Sequence, residues 1–186
     1  MSTLKKTALV VIDLQKGIVG METKPYDATS VVNNSVKLIQ TFRSLGASVF
    51  LVHVDFLGGD SLQPISDIPM ISSTRPAWWA EFVEALDIQK SDILITKRQW
   101  GAFHGTELDL QLRRRDIDTI VLCGIATSIG VESTARQAYE LGYNQIFAED
   151  AMASRTEEEH HSTIVNIFPR IGQVKGTNEI ISLLSL

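Results

Sequence analysis

Short apolar runs of about strand length recur along the chain. Six are predicted as β-strands, at residues 8–14, 49–55, 93–97, 119–124, 145–149 and 173–175. Apolar residues at helical spacing predict helices over 30–45, 77–86, 107–115, 128–141, 157–168 and 178–184. Apolar strands that alternate with amphipathic helices are typical of a parallel sheet covered on both faces. We therefore predict an α/β fold, a three-layer α/β/α sandwich around a Rossmann-like parallel sheet of about six strands.

Turn and capping residues support several of these boundaries. Thr106 and Thr156 each begin a capping-box pattern, Thr-Glu-Leu-Asp and Thr-Glu-Glu-Glu. Gly46 and Gly142 follow predicted helices, where a left-handed cap is expected. Pro169 is predicted to end the helix before it.

One long segment, residues 56–76, has no periodic pattern and contains Gly58, Gly59, Pro64, Pro69 and Pro76. Long irregular loops in compact domains are commonly lids or binding loops, and we predict that role here. The sequence has no internal repeat or low-complexity tract. Its 186 residues predict a single domain over 1–186.

Composition excludes several classes of protein. Hydrophobic residues make up 44% and charged residues 21%, which is ordinary for a globular protein. A formal net charge of -5 argues against nucleic acid, because phosphate binding needs clustered Lys and Arg. The basic cluster 113–115 falls at the end of a predicted helix, where it complements the helix dipole. No apolar run predicts a membrane span or a signal peptide, so we expect a cytoplasmic location.

Two charged residues end apolar strands. Asp13 follows Val10-Val-Ile, and Lys97 follows Ile93-Leu-Ile-Thr. In an open parallel sheet, ligands bind beyond the carboxyl ends of the strands. A buried carboxylate needs a cation or hydrogen bonds, and Lys97 is the obvious cation for Asp13. Two interpretations stay open at this point: an ion pair that fixes the sheet, or part of a catalytic site.

A third region changes this balance. The run Gly124-Ile-Ala-Thr-Ser-Ile-Gly-Val131 is a buried strand that turns sharply into a helix, a turn that aims backbone N–H groups above it. With Val11-Ile-Asp-Leu-Gln15 and the segment 97–106, Lys-Arg-Gln-Trp-Gly-Ala-Phe-His-Gly-Thr, it resembles the isochorismatase-like hydrolase superfamily. The resemblance extends from residue 8 to about residue 170.

That resemblance implies roles for individual residues. Asp13 corresponds to the acid or base, and Lys97 to its charged partner. Gly130 stands where the amidase branches carry cysteine. The bond between Ile125 and Ala126 is expected to be cis, and the N–H groups of Ala126 and Gly130 are expected to face a developing oxyanion.

The glycine limits the chemistry, because an acyl-enzyme needs a side-chain nucleophile. Cys123 lies inside a strand, where we expect a small buried hydrophobe. A single cysteine also excludes an internal disulfide and a cysteine-based zinc cluster. Thr127 and Ser128 are nearer, but we identify no histidine placed to activate them and expect them to cap the helix.

The isochorismatase branch also lacks the cysteine, and resemblance to it implies that water attacks while the aspartate protonates a vinyl ether carbon. In that role, burial of Asp13 must outweigh the nearby cation, or Lys97 must stand away from it. That branch has tyrosine where Ala126 stands and glutamine where Val54 stands, which argues against isochorismate itself as the substrate.

Metal and cofactor binding are not expected. The nicotinamidase branch binds a divalent ion through an aspartate and two histidines, whereas this sequence offers only His53 and Asp55 at that place. We assign these two residues, with Gln15, to the substrate pocket. His160 and His161 lie on an acidic helix and are interpreted as a solvated face. No Gly-x-Gly-x-x-Gly follows the first strand, which disfavours dinucleotide binding.

Trp100 and Phe103 follow Lys97 closely and are predicted in the pocket wall, with core or a subunit interface as the alternative. We predict a hydrolase of a small organic substrate that works through Asp13 and Lys97 with direct attack by water. An amidase-like hydrolase with a displaced nucleophile and a non-catalytic ligand-binding or oligomeric scaffold are the alternatives. A homo-oligomer, dimer or tetramer, is the expected assembly.

Overall fold

A parallel six-stranded sheet forms the centre of the computed structural model, which describes residues 6–56, 62, 64–68 and 75–184. Its strands are β1 (Thr7–Ile12), β2 (Ser48–Val54), β3 (Ile93–Lys97), β4 (Thr119–Ile125), β5 (Asn144–Ala153) and β6 (Gln173–Lys175). They pair in the order β3-β2-β1-β4-β5-β6, all in parallel. The predicted α/β fold is therefore confirmed.

Helices connect the strands and cover both faces of the sheet. They are α1 (Lys16–Val19), α2 (Ala28–Ser44), α3 (Leu108–Arg113), α4 (Glu132–Glu140), α5 (Glu157–Ser162), α6 (Phe168–Ile171) and α7 (Thr177–Leu184). Two π-helical turns, Thr127–Val131 and Thr163–Ile167, run directly into α4 and α6. None of the helices in these described residues has the length and apolar character needed to cross a membrane.

The core has two layers because β1 is buried on both faces. Ala8, Val10 and Ile12 pack on one face with residues of α3, α4 and α6. Leu9 and Val11 pack on the other face with residues of α2 and α7. This double burial explains why β1 reads as a continuous apolar run rather than as an alternating one.

The strand order decides where a ligand can bind. From β1 the chain proceeds outward through β2 to β3 and then returns to place β4 on the other side of β1. The order therefore reverses between β1 and β4, and open α/β sheets bind ligands at the carboxyl ends of such strands. Asp13 follows β1, and the turn that carries Gly130 follows β4.

Several local predictions are confirmed. The Thr156 side chain accepts a hydrogen bond from the Glu159 N–H and so caps α5. Gly46 and Gly142 both have positive φ after a helix, as expected for left-handed caps. The predicted lid at 56–76 falls largely on residues 57–61, 63 and 69–74, which lie outside the described part of the chain.

Other predictions are wrong in detail. The predicted helix over 77–86 is two 3-10 turns, Ala77–Ala80 and Glu84–Leu86, because Phe82 between them pairs with Gln15 in an antiparallel bridge. Pro169 does not end a helix: it is the second residue of α6, which follows directly on the π-helical turn Thr163–Ile167. Strand β5 runs past the predicted end at 149 to Ala153.

Candidate functional site

Asp13 and Lys97 form a buried ion pair although they belong to strands that are not neighbours. β2 lies between β1 and β3, so the side chains must bridge two strand spacings, about 9.6 Å. Nζ of Lys97 lies 2.8 Å from Oδ2 of Asp13, and the two side chains are 1% and 6% exposed. Only a long side chain such as lysine can cover this distance from β3.

Both ends of the pair are fixed by backbone. Asp13 has φ 55°, a left-handed conformation that Asp adopts more readily than most residues, and its N–H donates to Val52 O at 2.8 Å. Nζ of Lys97 also donates to Trp100 O at 2.5 Å. Among the described residues, the second carboxylate oxygen of Asp13, Oδ1, is buried and has no hydrogen-bond partner. One oxygen of Asp13 is therefore buried without a well-formed hydrogen bond, and a donor group on a ligand would satisfy it.

The environment of Asp13 makes its carboxyl a weaker acid than usual. Burial raises its pKa from 3.8 to about 6, while the Lys97 ammonium and His53 act in the opposite direction. Burial thus outweighs the cation even with Lys97 in contact. A carboxyl group with this pKa holds its proton in slightly acidic solution and can release it to a substrate.

Gly130 faces the ion pair. A Cβ placed on this residue would lie 3.0 Å from Asp13 Oδ2, 3.0 Å from Lys97 Nζ and 3.1 Å from Ile12 Cγ2. The missing side chain therefore leaves the point of convergence of both charged groups without a nucleophile. Its turn follows the Ile125–Ala126 peptide bond, which is cis.

A second glycine lets the two central strands meet at this site. Gly124, near the end of β4, has φ 123°, and a Cβ there would lie 2.0 Å from the backbone oxygen of Ile12. Both the conformation and the lack of space require glycine at this position. Backbone therefore packs directly on backbone where β1 and β4 approach the site.

Gln15 is buried beside the site and is bonded to backbone groups. Its Nε2 donates to Val54 O at 3.0 Å and to Trp79 O at 3.2 Å, and its Oε1 accepts from Val54 N at 2.9 Å. Both donor hydrogens of the amide are thus used. Gln15, assigned to the pocket from sequence, holds the end of β2 and the turn at Ala77–Ala80.

His53 and Asp55 lie at the end of β2, and both contact protein groups. Nδ1 of His53 lies 2.6 Å from Ala80 O, a carbonyl that can only accept, and Nε2 lies 2.9 Å from Thr96 Oγ1. Asp55 is half-exposed near Arg98. No group of three or more His, Cys, Asp or Glu in the described residues is placed to hold a metal ion.

The two aromatic residues after Lys97 have different environments. Trp100 contributes its backbone oxygen to Lys97, while its side chain is 56% exposed. Phe103 is a core residue that packs on Tyr143, with ring centroids 5.6 Å apart. Phe103 also borders a surface cavity of about 480 Å³ between α3 and α4, which neither Asp13 nor Lys97 lines.

Three interpretations of neighbouring residues are corrected here. His160 is buried, not solvated, and its Nδ1 lies 2.9 Å from Thr127 Oγ1, so a histidine does contact a hydroxyl in the turn. Ser128 does not cap the helix with its side chain but bonds to Ser154. His160 could not be assigned from sequence because its acidic neighbours are exposed; only its spacing of three residues from the buried Thr163 indicates an inward face.

Cys123 is remote from the ion pair. It lies in β4 and packs with the α2 and α7 layer, whereas the Ile12 side chain near Gly130 packs in the opposite layer. Its side chain is fully buried, and burial raises the pKa of the thiol to about 12. At neutral pH the group is therefore a thiol and not a thiolate.

Comparison with known proteins extends these observations. The family described as "Isochorismatase domain" matches residues 7–179. An isochorismatase family protein of Bacillus subtilis (strain 168), YwoC, is 54% identical over 180 residues, covering 95% of this chain and 93% of that protein. A solved isochorismatase family protein from Burkholderia thailandensis has a TM-score of 0.95 at 41% identity, covering 98% of this chain and 97% of that one. The ureidoacrylate amidohydrolase RutB of Acinetobacter baylyi is 26% identical, covering 96% of this chain and 83% of that protein.

Proposed function

Because this chain belongs to the isochorismatase family, we propose that it is a hydrolase of a small organic metabolite in which water attacks directly. In this proposal Asp13 transfers the proton and Lys97 stabilises the carboxylate that remains. No cysteine takes part. The family and the amidohydrolase relative support hydrolysis as the reaction type, and the site supports the way in which it proceeds.

The observation that carries the proposal is the convergence of Asp13 and Lys97 on Gly130. Asp13 Oδ2 and Lys97 Nζ both approach the point where a Cβ would stand, at 3.0 Å each. A substrate or water molecule that reaches this end of the ion pair would meet the acid and the cation together. Covalent catalysis would need a nucleophile at this point, and glycine has none.

For an enol ether, we propose hydrolysis in three steps. Protonated Asp13 gives its proton to the vinyl carbon, and the adjacent carbon becomes an oxocarbenium ion. Water adds to that ion and returns a proton to the Asp13 carboxylate, and the hemiketal collapses to a carbonyl compound and an alcohol. The raised pKa of Asp13, about 6, favours the first step, and the Lys97 ammonium favours the intermediate carboxylate.

A second candidate is an amidase with a displaced nucleophile. The contact of 2.9 Å between Thr127 Oγ1 and His160 Nδ1 is the observation that favours it, and N–H groups of Ala126 and Gly130 would then bind the oxyanion. Two facts weigh against it. Thr127 is fully buried, and burial lowers the pKa of His160 to about 4, which makes the imidazole a weak base.

A substrate panel tests the proposal. Enol ethers, amides and ureides are incubated with the wild type, with Asp13→Asn and with Asp116→Asn. Asp116 is a matched control because it also has φ 55° but is exposed at the surface. We expect turnover by the wild type and Asp116→Asn and none by Asp13→Asn, with no covalent adduct in the intact mass.

The outcomes separate the candidates. An acyl adduct on Thr127, Ser128 or Cys123 during turnover would reject direct water attack in favour of a displaced nucleophile. Binding without turnover of any compound by the folded protein would favour the ligand-binding scaffold. The cytoplasmic location, the homo-oligomer, the single domain and the absence of a metal or cofactor stay predictions.

A further inference from the structure

One buried hydroxyl links the two segments that build the site. Oγ1 of Thr134, on α4, donates to Gly130 O at 2.7 Å and accepts from Ala102 N at 3.1 Å. Thr134 and Ala102 are both fully buried. We propose that Thr134 is a positioning residue that holds the Gly130 turn and the loop after β3 in register, and thereby aims Lys97 at Asp13. This inference rests on the proposed function, since it assigns a role in that same site.

The first of the two hydrogen bonds is common, and the second is not. Threonine in a helix frequently donates to the carbonyl four residues earlier, as Thr134 does to Gly130. Its oxygen usually has no further protein partner from a distant segment. Here it accepts the N–H of Ala102, which is 32 residues away in sequence. The hydroxyl is thus a direct connection between α4 and the chain that follows Lys97.

That chain, residues 98–103, is called the β3 loop. It supplies Trp100 O, the backbone acceptor of Lys97 Nζ. Ala102 lies two residues beyond Trp100, so fixing the Ala102 N–H restricts where the Trp100 carbonyl can point. The position of the Lys97 ammonium therefore depends on the contact between the β3 loop and α4.

A neighbouring residue on α4 supports the same contact. Gln137, three residues after Thr134 and hence on the same helix face, accepts a hydrogen bond from Phe103 N at 3.2 Å. Its side chain also lies against Gly101, where a Cβ would come within 2.3 Å of Oε1. Gln137 holds only the β3 loop, whereas Thr134 holds the loop and the Gly130 turn together.

The consequence for the site is specific. Asp13 is buried by the strands around it, so loosening the β3 loop leaves its burial in place. Lys97 from β3 and His53 from β2 are the charged or titratable groups that lower the pKa of Asp13. Losing the Thr134 hydroxyl should therefore weaken the contribution of Lys97 and raise the pKa of Asp13.

The experiment follows the Asp13 carboxyl by ¹³C NMR during a pH titration of aspartate-labelled full-length protein, with the signal assigned through Asp13→Asn. Thr134→Val keeps the shape and removes the hydroxyl, while Thr134→Ser keeps the hydroxyl. Thr163→Val is the matched control, because Thr163 is 2% exposed and its hydroxyl bonds to Glu132 on α4 but not to Gly130 O or to the β3 loop. No substrate is needed, so the result does not depend on finding one.

We expect the pKa of Asp13 to rise by about half a pH unit or more in Thr134→Val and to stay at the wild-type value in Thr134→Ser and Thr163→Val. A folded Thr134→Val protein with an unchanged or lowered pKa would overturn the proposal. If that variant does not fold, Thr134→Ala carries the same expectation. Failure of both to fold beside an intact Thr134→Ser would indicate a purely structural hydroxyl and would also overturn it.

Activity provides a separate measurement once the panel yields a substrate. Thr134→Val should lower kcat about tenfold with little change in KM, and Thr134→Ser should restore it. An altered pKa without any substrate in the panel would leave the positioning role supported and the proposed function rejected. An unaltered pKa in an active enzyme would reject the positioning role and leave the proposed function supported.

Discussion

Lys97 touches Asp13 at 2.8 Å, yet the pKa of Asp13 lies above its ordinary value and not below it. A neighbouring ammonium alone would make the carboxyl more acidic, as it does in most ion pairs. Burial of both groups reverses the sign. The site therefore holds an acid that keeps its proton up to about pH 6, next to a cation that stabilises the carboxylate after the proton has left.

The rate should depend on pH through Asp13. If Asp13 acts as a general acid, kcat/KM is highest below about pH 6 and falls as the pH rises through that value, because the reactive form is then lost. The pH dependence of kcat/KM is measured from initial rates on a panel substrate between about pH 5 and about pH 9. A profile that rises through the same pH would identify Asp13 as a base and contradict its role as a general acid.

Gly130→Ala should inactivate the enzyme without unfolding it. The added methyl would lie 3.0 Å from both charged atoms of the ion pair, so the carboxylate or the ammonium must shift away from its present position. Alanine is the better helix former, so the free energy of unfolding should change by less than about 1–2 kcal/mol while activity falls more than about tenfold. Ser133→Ala, at a partly buried position in the first turn of α4, is the control, and this variant should keep its activity.

Thiol reagents should not inactivate the enzyme. Cys123 is fully buried, and its pKa is raised to about 12, so native protein treated with iodoacetamide should keep both its mass and its activity. Cys123→Ala should be active as well, although less stable if its small cavity does not close. Inactivation in step with modification of Cys123 would contradict the cysteine-free mechanism.

Acid should weaken the fold partly through His160. Its pKa is about 4 in the folded protein and 6.5 in the reference state, so the unfolded chain binds more protons between these values. The contribution of neutral His160 is complete above pH 6.5 and is lost as the pH falls through 4. In denaturant unfolding, the wild type should therefore lose more of its free energy of unfolding than His160→Gln does as the pH falls from 6.5 to 4. His104→Gln, at an exposed position, is the control for the loss of a histidine as such.

Sequence patterns predict the sheet well and the connections less well. Strands buried on both faces are continuous apolar runs, and residues such as Asp13 and Lys97 at their ends are visible without coordinates. The segment 77–86 has helical spacing, but no continuous helix forms there. Phe82, within this segment, instead pairs with Gln15 in an antiparallel bridge made by backbone hydrogen bonds. Such pairing depends on tertiary approach, which local periodicity does not contain.

The same limit applies to the site. His160 and Gln15 owe their contacts to elements distant in sequence, and an acidic neighbourhood or a motif position does not indicate them. Thr134 does have a local signal, because it lies four residues after Gly130 and hence on the same face of the helix. Its hydrogen bond to Ala102 has no local sequence signal, since no pattern in residues 98–103 indicates that the Ala102 N–H is buried.

The place of β3 in the sheet has a consequence for the motions of the protein. β3 is an edge strand, paired only with β2 in the described sheet, and Leu94 on it is exposed. Edge strands separate more readily than central ones. If β3 separated from β2, Lys97 would leave with it and Asp13 would lose its cation, a state that costs far less free energy with Asp13 protonated than with it charged. Opening of this edge would then be accompanied by proton uptake at Asp13, and ionised Asp13 would hold β3 in place.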